Sequence, residues 1–116
     1  MKYHSKKTEV NGIVFDSKLE AERFQQLLLL EQAGEISGLQ LQVEFQILKG
    51  WKNPETGEKI RSRNYIADFV YIDEATNKAI AEDTKGVETA DFRLKWAMVK
   101  SLYPQYEFRK VTRDEV

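Results

Sequence analysis

Two carboxylates in this sequence lie where apolar strands are expected. Asp68 lies within Tyr65–Tyr71, and Asp83 stands two residues before Lys85 in the run 78–85. Side chains two residues apart share a face of a strand, so Asp83 and Lys85 should point the same way. A carboxylate among apolar neighbours is costly to bury unless another group compensates its charge. The sequence offers two such groups: the ammonium of Lys85, or a divalent metal held between Asp68 and Asp83.

The composition predicts one globular domain over residues 1–116, with 41% hydrophobic residues and a formal net charge of -1. This charge argues against a strongly basic, non-specific nucleic-acid binder but allows a local basic patch. The chain has no cysteine and one histidine, so any metal site must use oxygen ligands, which suit Mg²⁺, Mn²⁺ or Ca²⁺. The longest apolar run, Leu27–Leu30, is too short to cross a membrane, and the N-terminus does not resemble a signal peptide. We therefore expect a cytosolic protein without a membrane partner.

Hydrophobic periodicity predicts a short hairpin followed by the order α, β, β, β, α, β. The hairpin is expected around Asn11-Gly12, because both residues tolerate the positive φ of a tight turn. Helices are expected at about 17–33 and 90–103, and strands at about 39–47, 59–72, 78–85 and 106–111. In the first of these strands all odd-numbered residues should face one way. Asp68 should share its face with Ile66 and Val70. The order predicts a mixed four-stranded sheet, an antiparallel meander plus one parallel pair, with helices on both faces.

Glu20 has two interpretations. Its spacing from Ser17 matches a capping box, in which the glutamate reaches back to the Ser17 amide. It also lies at the end of the core-facing stripe of the first helix, where it could serve a site. Spacing alone favours the cap. Glu22 lies on a more polar side of the helix and is a weaker candidate. Gln42, on the polar face of the strand at 39–47, could line a groove, although an exposed polar face is the ordinary explanation.

Four cationic residues are candidates for nucleic-acid contacts. Lys6 and Lys7 belong to a basic N-terminal arm that either contacts phosphates or is a solvated terminus. Lys95 falls inside the apolar arc of the second helix, where it either points toward the site or pairs with Asp91 four residues earlier. Arg93 flanks the same stripe.

Glu20, Asp68, Asp83 and Lys85 together suit metal-dependent phosphodiester hydrolysis. Mg²⁺ takes a few carboxylates from a protein and keeps several waters. The metal polarises the scissile phosphate and lowers the pKa of a bound water. A lysine on the same strand face as a ligand can orient that water and offset the charge that develops on the phosphate.

This arrangement resembles the PD-(D/E)XK, restriction-endonuclease-like nuclease superfamily. Asp68 matches its first acidic element, and Asp83-Thr84-Lys85 matches its (D/E)-x-K element. The stretch Phe15–Phe24 is similar to the first-helix segment of transposon-end and Holliday-junction nucleases, whose helical glutamate corresponds to Glu20. The nearest resemblance is to a small phage-associated family of unassigned function within this superfamily. It is carried by four segments: Lys6–Thr8, Phe15–Glu20, Tyr65–Tyr71 and Glu82–Gly86.

The resemblance implies a three-layer α/β/α fold with an α-β-β-β-α-β core behind the N-terminal hairpin. It implies a Mg²⁺- or Mn²⁺-dependent DNA endonuclease that acts on branched or structured DNA in phage recombination, repair or packaging. Glu20, Asp68 and Asp83 would be the metal ligands and Lys85 a catalytic residue. Glu82 adjoins Asp83, and face parity with Lys85 selects Asp83.

The length of the chain bears on its expected partners. The chain has no separate DNA-reading domain, so a homodimer is expected. Other phage replication or recombination proteins are candidate partners, in a bacterial host cytoplasm. One alternative is a catalytically idle module on the same fold that binds nucleic acid or protein. Another is that the carboxylates and Lys85 form a structural ion network.

Overall fold

The computed structural model describes residues 7–116, which form a mixed four-stranded sheet, two helices and two small hairpins. The elements in chain order are β1 (Thr8–Val10), β2 (Ile13–Phe15), α1 (Lys18–Gln32), β3 (Ile36–Leu48), β4 (Trp51–Lys52), β5 (Lys59–Ile60), β6 (Arg63–Asp73), β7 (Lys78–Thr84), α2 (Ala90–Leu102), β8 (Tyr106–Val111) and a 3₁₀ helix (Arg113–Glu115). Within residues 7–116, neither α-helix combines the length and the apolarity needed to cross a membrane.

The four-stranded sheet has the strand order β3-β6-β7-β8. β3, β6 and β7 pair antiparallel, and β7 pairs with β8 in parallel. The predicted mixed sheet, with its meander and its single parallel pair, is confirmed. β6 has a partner on each side, which explains why its second half is apolar on both faces.

The predicted turn and caps account for where the first elements begin and end. Asn11 and Gly12 have φ of 53° and 80°, as the hairpin between β1 and β2 requires. Ser17 caps α1 and Thr89 caps α2, each accepting a hydrogen bond from the backbone amide three residues on. Gly34, with φ of 79°, follows the C-terminal end of α1. Both helices match the expected ranges to within one residue.

The buried apolar side chains form two clusters, which we name for the helix each contains. The α1 cluster joins α1 to Phe69, Tyr71 and Ile80, and the α2 cluster joins α2 to Phe45, Tyr65 and Ala81, among others. Ile80 and Ala81 are adjacent on β7, so their side chains point to opposite faces of the strand. The two clusters therefore use different faces of β7.

Burial alternates along β3 as expected, with the odd-numbered residues from 39 to 47 more buried than their neighbours, but these residues do not all face one way, because the strand turns over at Gln42. Leu41 packs against the α1 cluster, whereas Val43, two residues later, packs against the α2 cluster. A regular strand would place both on one face. Gln42 between them has φ of 53°, in the left-handed region that non-glycine residues rarely adopt. This one residue reverses the faces of the strand.

β6 reverses at the position opposite Gln42, which is Asp68. Ala67 and Val70 both belong to the α2 cluster, although they are three positions apart, and Phe69 belongs to the α1 cluster. Alternation is therefore broken next to Asp68. Asp68 and Ile66 line the same cavity, described below, whereas Val70 packs in the α2 cluster, so the expectation that Asp68 shares a face with both is wrong. The paired reversal places Gln42 and Asp68 together at the bend of the β3–β6 ribbon.

The single strand expected over 59–72 is also wrong. It is divided into β5 and β6 at Arg61 and Ser62, and β5 pairs with the unpredicted β4 instead of continuing in the sheet. The turn-forming residues between β4 and β5 therefore close a separate small hairpin.

Candidate active site

A cavity of about 570 Å³ lies between the N-terminal end of α1 and the C-terminal end of β7. Its lining includes Glu20, Asp68, Asp83 and Lys85, the four residues that the sequence predicted as one site. They come from α1, from β6, from β7 and from the segment after β7. The remaining lining residues are Asp16, Ser17, Lys18, Leu19, Ile66, Thr84, Gly86, Val87 and Arg113.

The side chain of Glu20 turns toward the cavity and does not complete a capping box. Its backbone amide donates to Ser17 Oγ at 3.1 Å, so Ser17 is the cap. Its carboxylate Oε2 instead accepts a hydrogen bond from Gln42 Nε2 at 3.0 Å. Burial raises the pKa of Glu20 to about 7, with further contributions from the charges of Asp68, Asp16 and Asp83. The spacing-based preference for a capping carboxylate is therefore wrong.

Asp68 is held by the end of β7. Its Oδ2 accepts hydrogen bonds from the backbone amide of Thr84 at 2.8 Å and from Thr84 Oγ1 at 2.9 Å. Its Oδ1 lies 3.4 Å from Gln42 Nε2. Burial raises the pKa of Asp68, and these hydrogen bonds and the charge of Lys85 partly offset the rise. The side chain of Asp68 is thus hydrogen-bonded by Thr84 and contacted by Gln42. It does not form the ion pair with Lys85, whose ion-pair partner among residues 7–116 is Asp83.

Asp83 and Lys85 lie on one face, as their spacing predicted. Lys85 Nζ is 3.4 Å from Asp83 Oδ1 and 4.2 Å from the centroid of the Phe92 ring. The Tyr65 hydroxyl donates to Asp83 Oδ2 at 2.6 Å. Burial raises the pKa of Asp83 to about 6, with a further contribution from the charge of Asp68. A buried carboxylate whose pKa is raised toward neutral pH therefore lies beside an ammonium group inside the cavity.

Glu82 has a different environment from its neighbour Asp83. It is fully buried, and both of its oxygens accept hydrogen bonds from Arg23, at 2.8 Å from Nε and 2.6 Å from Nη2. The Tyr71 hydroxyl also donates to it. Glu82 is absent from the cavity lining. It therefore forms a bidentate structural ion pair with α1, and the face-parity argument that selected Asp83 agrees with the geometry.

Gln42 links two of the carboxylates. Its Nε2 donates to Glu20 and lies near Asp68, so one amide group contacts both acids. Its left-handed backbone costs roughly 1–2 kcal/mol relative to an extended residue. Such strained positions concentrate at functional sites, where the surrounding structure holds them in place. Gln42 is exposed and does not line the cavity, but its amide contacts two carboxylates that do.

Lys7, Arg93 and Lys95, three of the cations predicted to contact nucleic acid, do not line the cavity. Lys95 pairs with Asp91 at 3.4 Å, which is the alternative that its spacing offered. Arg93 Nη1 lies 3.4 Å from the backbone oxygen of Glu88, and Lys7 is exposed. Lys6 lies outside the described residues. Contacts of these four residues with nucleic acid remain predictions.

Several residues that shape the site were not found from the sequence. Tyr65 holds Asp83, Thr84 holds Asp68, and Arg113 lines the cavity while pairing with Glu22 at 2.7 Å. A signal for Arg23 did exist. Because Glu82 must face away from Asp83, it needs a cationic partner on α1, and Arg23 follows Glu20 by one turn of the helix.

The residues at the cavity fit a hydrated divalent cation. Across residues 7–116, no three acidic or imidazole side chains converge closely enough to form a complete metal-binding group by themselves. Mg²⁺ needs only one or two carboxylates and keeps several waters. Glu20, Asp68 and Asp83 each have a raised pKa, and a divalent cation relieves the repulsion that contributes to the rise for Glu20 and Asp83. Asp68, Asp83 and Glu20, which line the cavity together, are the carboxylates that would hold such an ion.

The chain belongs to the family described as "Protein of unknown function (DUF1064)", whose model matches residues 1–115. No curated protein and no solved structure matches the chain.

Proposed function

We propose that this member of the DUF1064 family is a metal-dependent DNA endonuclease with the three-layer, restriction-endonuclease-like fold of the PD-(D/E)XK superfamily. One observation carries the proposal: Glu20, Asp68, Asp83 and Lys85 line one cavity, although they come from three different elements and the segment after β7. The pattern of residue types is the one that metal-assisted phosphodiester hydrolysis requires.

Different residues would have different roles in the proposed reaction. When bound by Asp68 and Asp83, Mg²⁺ or Mn²⁺ would supply Lewis-acid polarisation of the phosphate and a water of lowered pKa. Thr84 fixes Asp68 and Tyr65 fixes Asp83, so both ligands are oriented before substrate arrives. Lys85 stands beside Asp83, where its ammonium can orient the attacking water and stabilise negative charge on the phosphate.

The structural ion network is the main competing explanation, and the chain contains an example for comparison. Arg23 and Glu82 form a bidentate, buried pair in which both oxygens of the acid are satisfied by one guanidinium. The cavity differs, since among residues 7–116 only Asp83 of the three carboxylates has an ion-pair partner, Lys85, and burial leaves the pKa of each acid raised. If a structural ion network stabilised these acids in their charged form, their pKa values would be lowered. The raised pKa values therefore favour a site that binds a cation.

The substrate and assembly are proposed from the resemblance. The enzyme would act on branched or structured DNA in phage recombination, repair or packaging, inside the cytoplasm of a bacterial host. Two copies related by a two-fold axis would cut both strands or a symmetric junction, so we propose a homodimer.

A cleavage panel tests the proposal. The purified protein is incubated with supercoiled plasmid, single-stranded DNA, intact duplex and a four-way junction, each with Mg²⁺, Mn²⁺ or EDTA. We expect metal-dependent cleavage, fastest on a branched or structured DNA, and loss of cleavage in Lys85→Ala. Glu35→Gln, an exposed carboxylate between α1 and β3 that does not line the cavity, is the matched control and should cut like wild type. Binding without cleavage by the wild-type protein under all conditions would favour the idle module.

A further inference from the structure

The hairpin formed by β4 and β5 is a separate feature of the molecule, which we call the arm and define as residues 49–63. β4 and β5 pair with each other and make few contacts with the four-stranded sheet. The tip is fixed by its own hydrogen bonds: Asn53 N donates to Glu58 O at 2.8 Å, and Gly57 N donates to Asn53 O at 2.9 Å. Asn53 Oδ1 accepts from Glu55 N at 2.8 Å. The arm is thus ordered without a core of its own.

One face of the arm is apolar and exposed. Trp51 lies directly opposite Ile60, so both side chains share a face of the hairpin. Trp51 is 53% exposed and Ile60 is 39% exposed, whereas the other tryptophan, Trp96, is only 8% exposed. Among the described residues, Trp51 has no aromatic or cationic partner. Trp51 and Ile60 together therefore form an exposed apolar patch on the arm, a kind of surface that a binding partner can cover.

The arm also carries the positive charge that the rest of the chain does not neutralise. It has five exposed cationic residues and two acidic ones, in a chain whose formal net charge is -1. None of the five forms an ion pair within residues 7–116, whereas eight cations elsewhere do. The five are Lys49, Lys52, Lys59, Arg61 and Arg63. Free cations beside an exposed indole form a surface complementary to a polyanion with stacked rings, which is a nucleic acid.

The arm is connected to the cavity by β6. This strand begins at Arg63, in the arm, and reaches Asp68, in the cavity lining, five residues later. Five residues of strand span at most about 17 Å. A nucleic-acid strand rises about 3.4 Å per nucleotide in a duplex, so this distance corresponds to roughly five nucleotides. A DNA strand that contacts the arm is therefore long enough to present a nearby phosphate to the cavity.

We infer that the arm is the DNA-binding element that gives this protein its preference for DNA with unpaired bases. The Trp51 indole stacks on an exposed base, with Ile60 beside it, and the arm cations contact the flanking phosphates. A base inside an intact duplex has its faces covered by its neighbours, whereas a base at a gap, bulge or branch does not. The inference rests on the proposed function in taking branched or structured DNA as the partner.

Binding without metal tests this inference separately from cleavage. Fluorescence anisotropy in EDTA compares three labelled probes: an intact duplex, the same duplex with an internal single-stranded gap, and a single strand. We expect Trp51→Ala to weaken binding to the gapped and single-stranded probes by roughly 10-fold or more, with little change for the intact duplex. Trp51→Phe keeps a stacking ring and should retain most of the affinity. The double variant Lys52→Gln/Lys59→Gln should weaken binding to every probe and reduce the salt dependence by about two phosphate contacts.

Matched controls remove an exposed leucine or a paired lysine outside the arm. Leu94→Ala on α2 and Lys78→Gln at the start of β7 should bind all probes like wild type. Wild-type affinities for all probes in both Trp51→Ala and the lysine double variant would overturn the inference. It is also overturned if light scattering shows that the arm variants convert a dimer to a monomer that still binds DNA normally, because a second copy would then occupy the arm. If arm-dependent binding occurs without cleavage, the inference stands and the proposed nuclease activity fails.

Discussion

Glu82 and Asp83 are neighbours in sequence, but their carboxylates lie on opposite faces of β7 and have different partners. Glu82 is fully buried against Arg23 and Tyr71, on the side of α1. Asp83 accepts from Tyr65 and pairs with Lys85 in the cavity. One strand thus carries a residue that holds the fold together and a residue that is available for chemistry. The two residues should respond differently to substitution.

The first prediction concerns stability in EDTA. Asp83→Asn should be neutral or stabilising by about 1 kcal/mol, because it removes one of several carboxylates that repel each other in a partly hydrated cavity. Glu82→Gln should be destabilising by about 3 kcal/mol, because it leaves Arg23 without its charged partner in the interior. Urea denaturation followed by circular dichroism measures both changes. Strong destabilisation by Asp83→Asn, together with a wild type whose melting temperature ignores metal, would favour the structural ion network.

The second prediction concerns pH. Folded Glu20 and Asp83 have pKa values of about 7 and about 6, above their ordinary values of 4.5 and 3.8. At pH values between the ordinary and the folded pKa of each group, the folded protein binds more protons than the unfolded chain. The free energy of unfolding therefore falls as the pH rises through this range. In EDTA we expect a decrease on the order of 2 kcal/mol between about pH 5 and pH 8.

Metal should change this pH dependence. We expect Mg²⁺ to bind the ionised carboxylates of the folded state, so its stabilisation should be small near pH 5 and large near pH 8. Melting temperatures across this range, with EDTA or with saturating Mg²⁺, measure the effect. Stability in EDTA that rises through the same pH range would contradict the raised pKa values and the crowding of the acids.

The third prediction concerns Gln42, whose side-chain amide donates a hydrogen bond to Glu20 and lies close to Asp68. Gln42→Glu replaces this donor with a third carboxylate beside Glu20 and Asp68, and like charges a few Å apart are unfavourable. We expect a loss of about 1–2 kcal/mol in EDTA, and a larger rise of melting temperature with Mg²⁺ than in wild type.

Gln40→Glu is the control for this substitution, since Gln40 is exposed on the same strand. It should melt like wild type with and without metal. Equal effects of the two substitutions would show that the amide of Gln42 has no special relation to the cavity.

The sequence predicted the parts of the site that depend on short-range periodicity. Asp83 and Lys85 are two residues apart on one strand, so their shared face follows from strand geometry alone. The choice of Asp83 over Glu82 follows from the same rule, and the pairing of strands around Asp68 follows from the order of the apolar runs. These relationships need no knowledge of tertiary contacts.

The role of Glu20 could not be decided in the same way. Whether its carboxylate caps α1 or enters the cavity depends on a hydrogen bond from Gln42, which is remote in sequence. Gln42 can reach it only because β3 turns over at that residue, with φ of 53°. Glutamine has no special preference for positive φ, in contrast to glycine or asparagine, so no residue type at this position indicates the reversal. The division of the strand at Arg61 and Ser62 was missed for a similar reason, since neither residue is a strong strand breaker.

The most direct test of the account is the rate at which Asp83→Asn cleaves the DNA that wild type cuts fastest in Mg²⁺. Wild type, Asp83→Asn and the control Glu35→Gln are purified identically and assayed at equal concentrations. We predict that Asp83→Asn stays folded and loses roughly 100-fold or more of the rate, because it removes charge that would hold the proposed metal, while Glu35→Gln retains the wild-type rate. Metal-dependent cleavage at the wild-type rate by folded Asp83→Asn would contradict the central claim that this cavity is the active site.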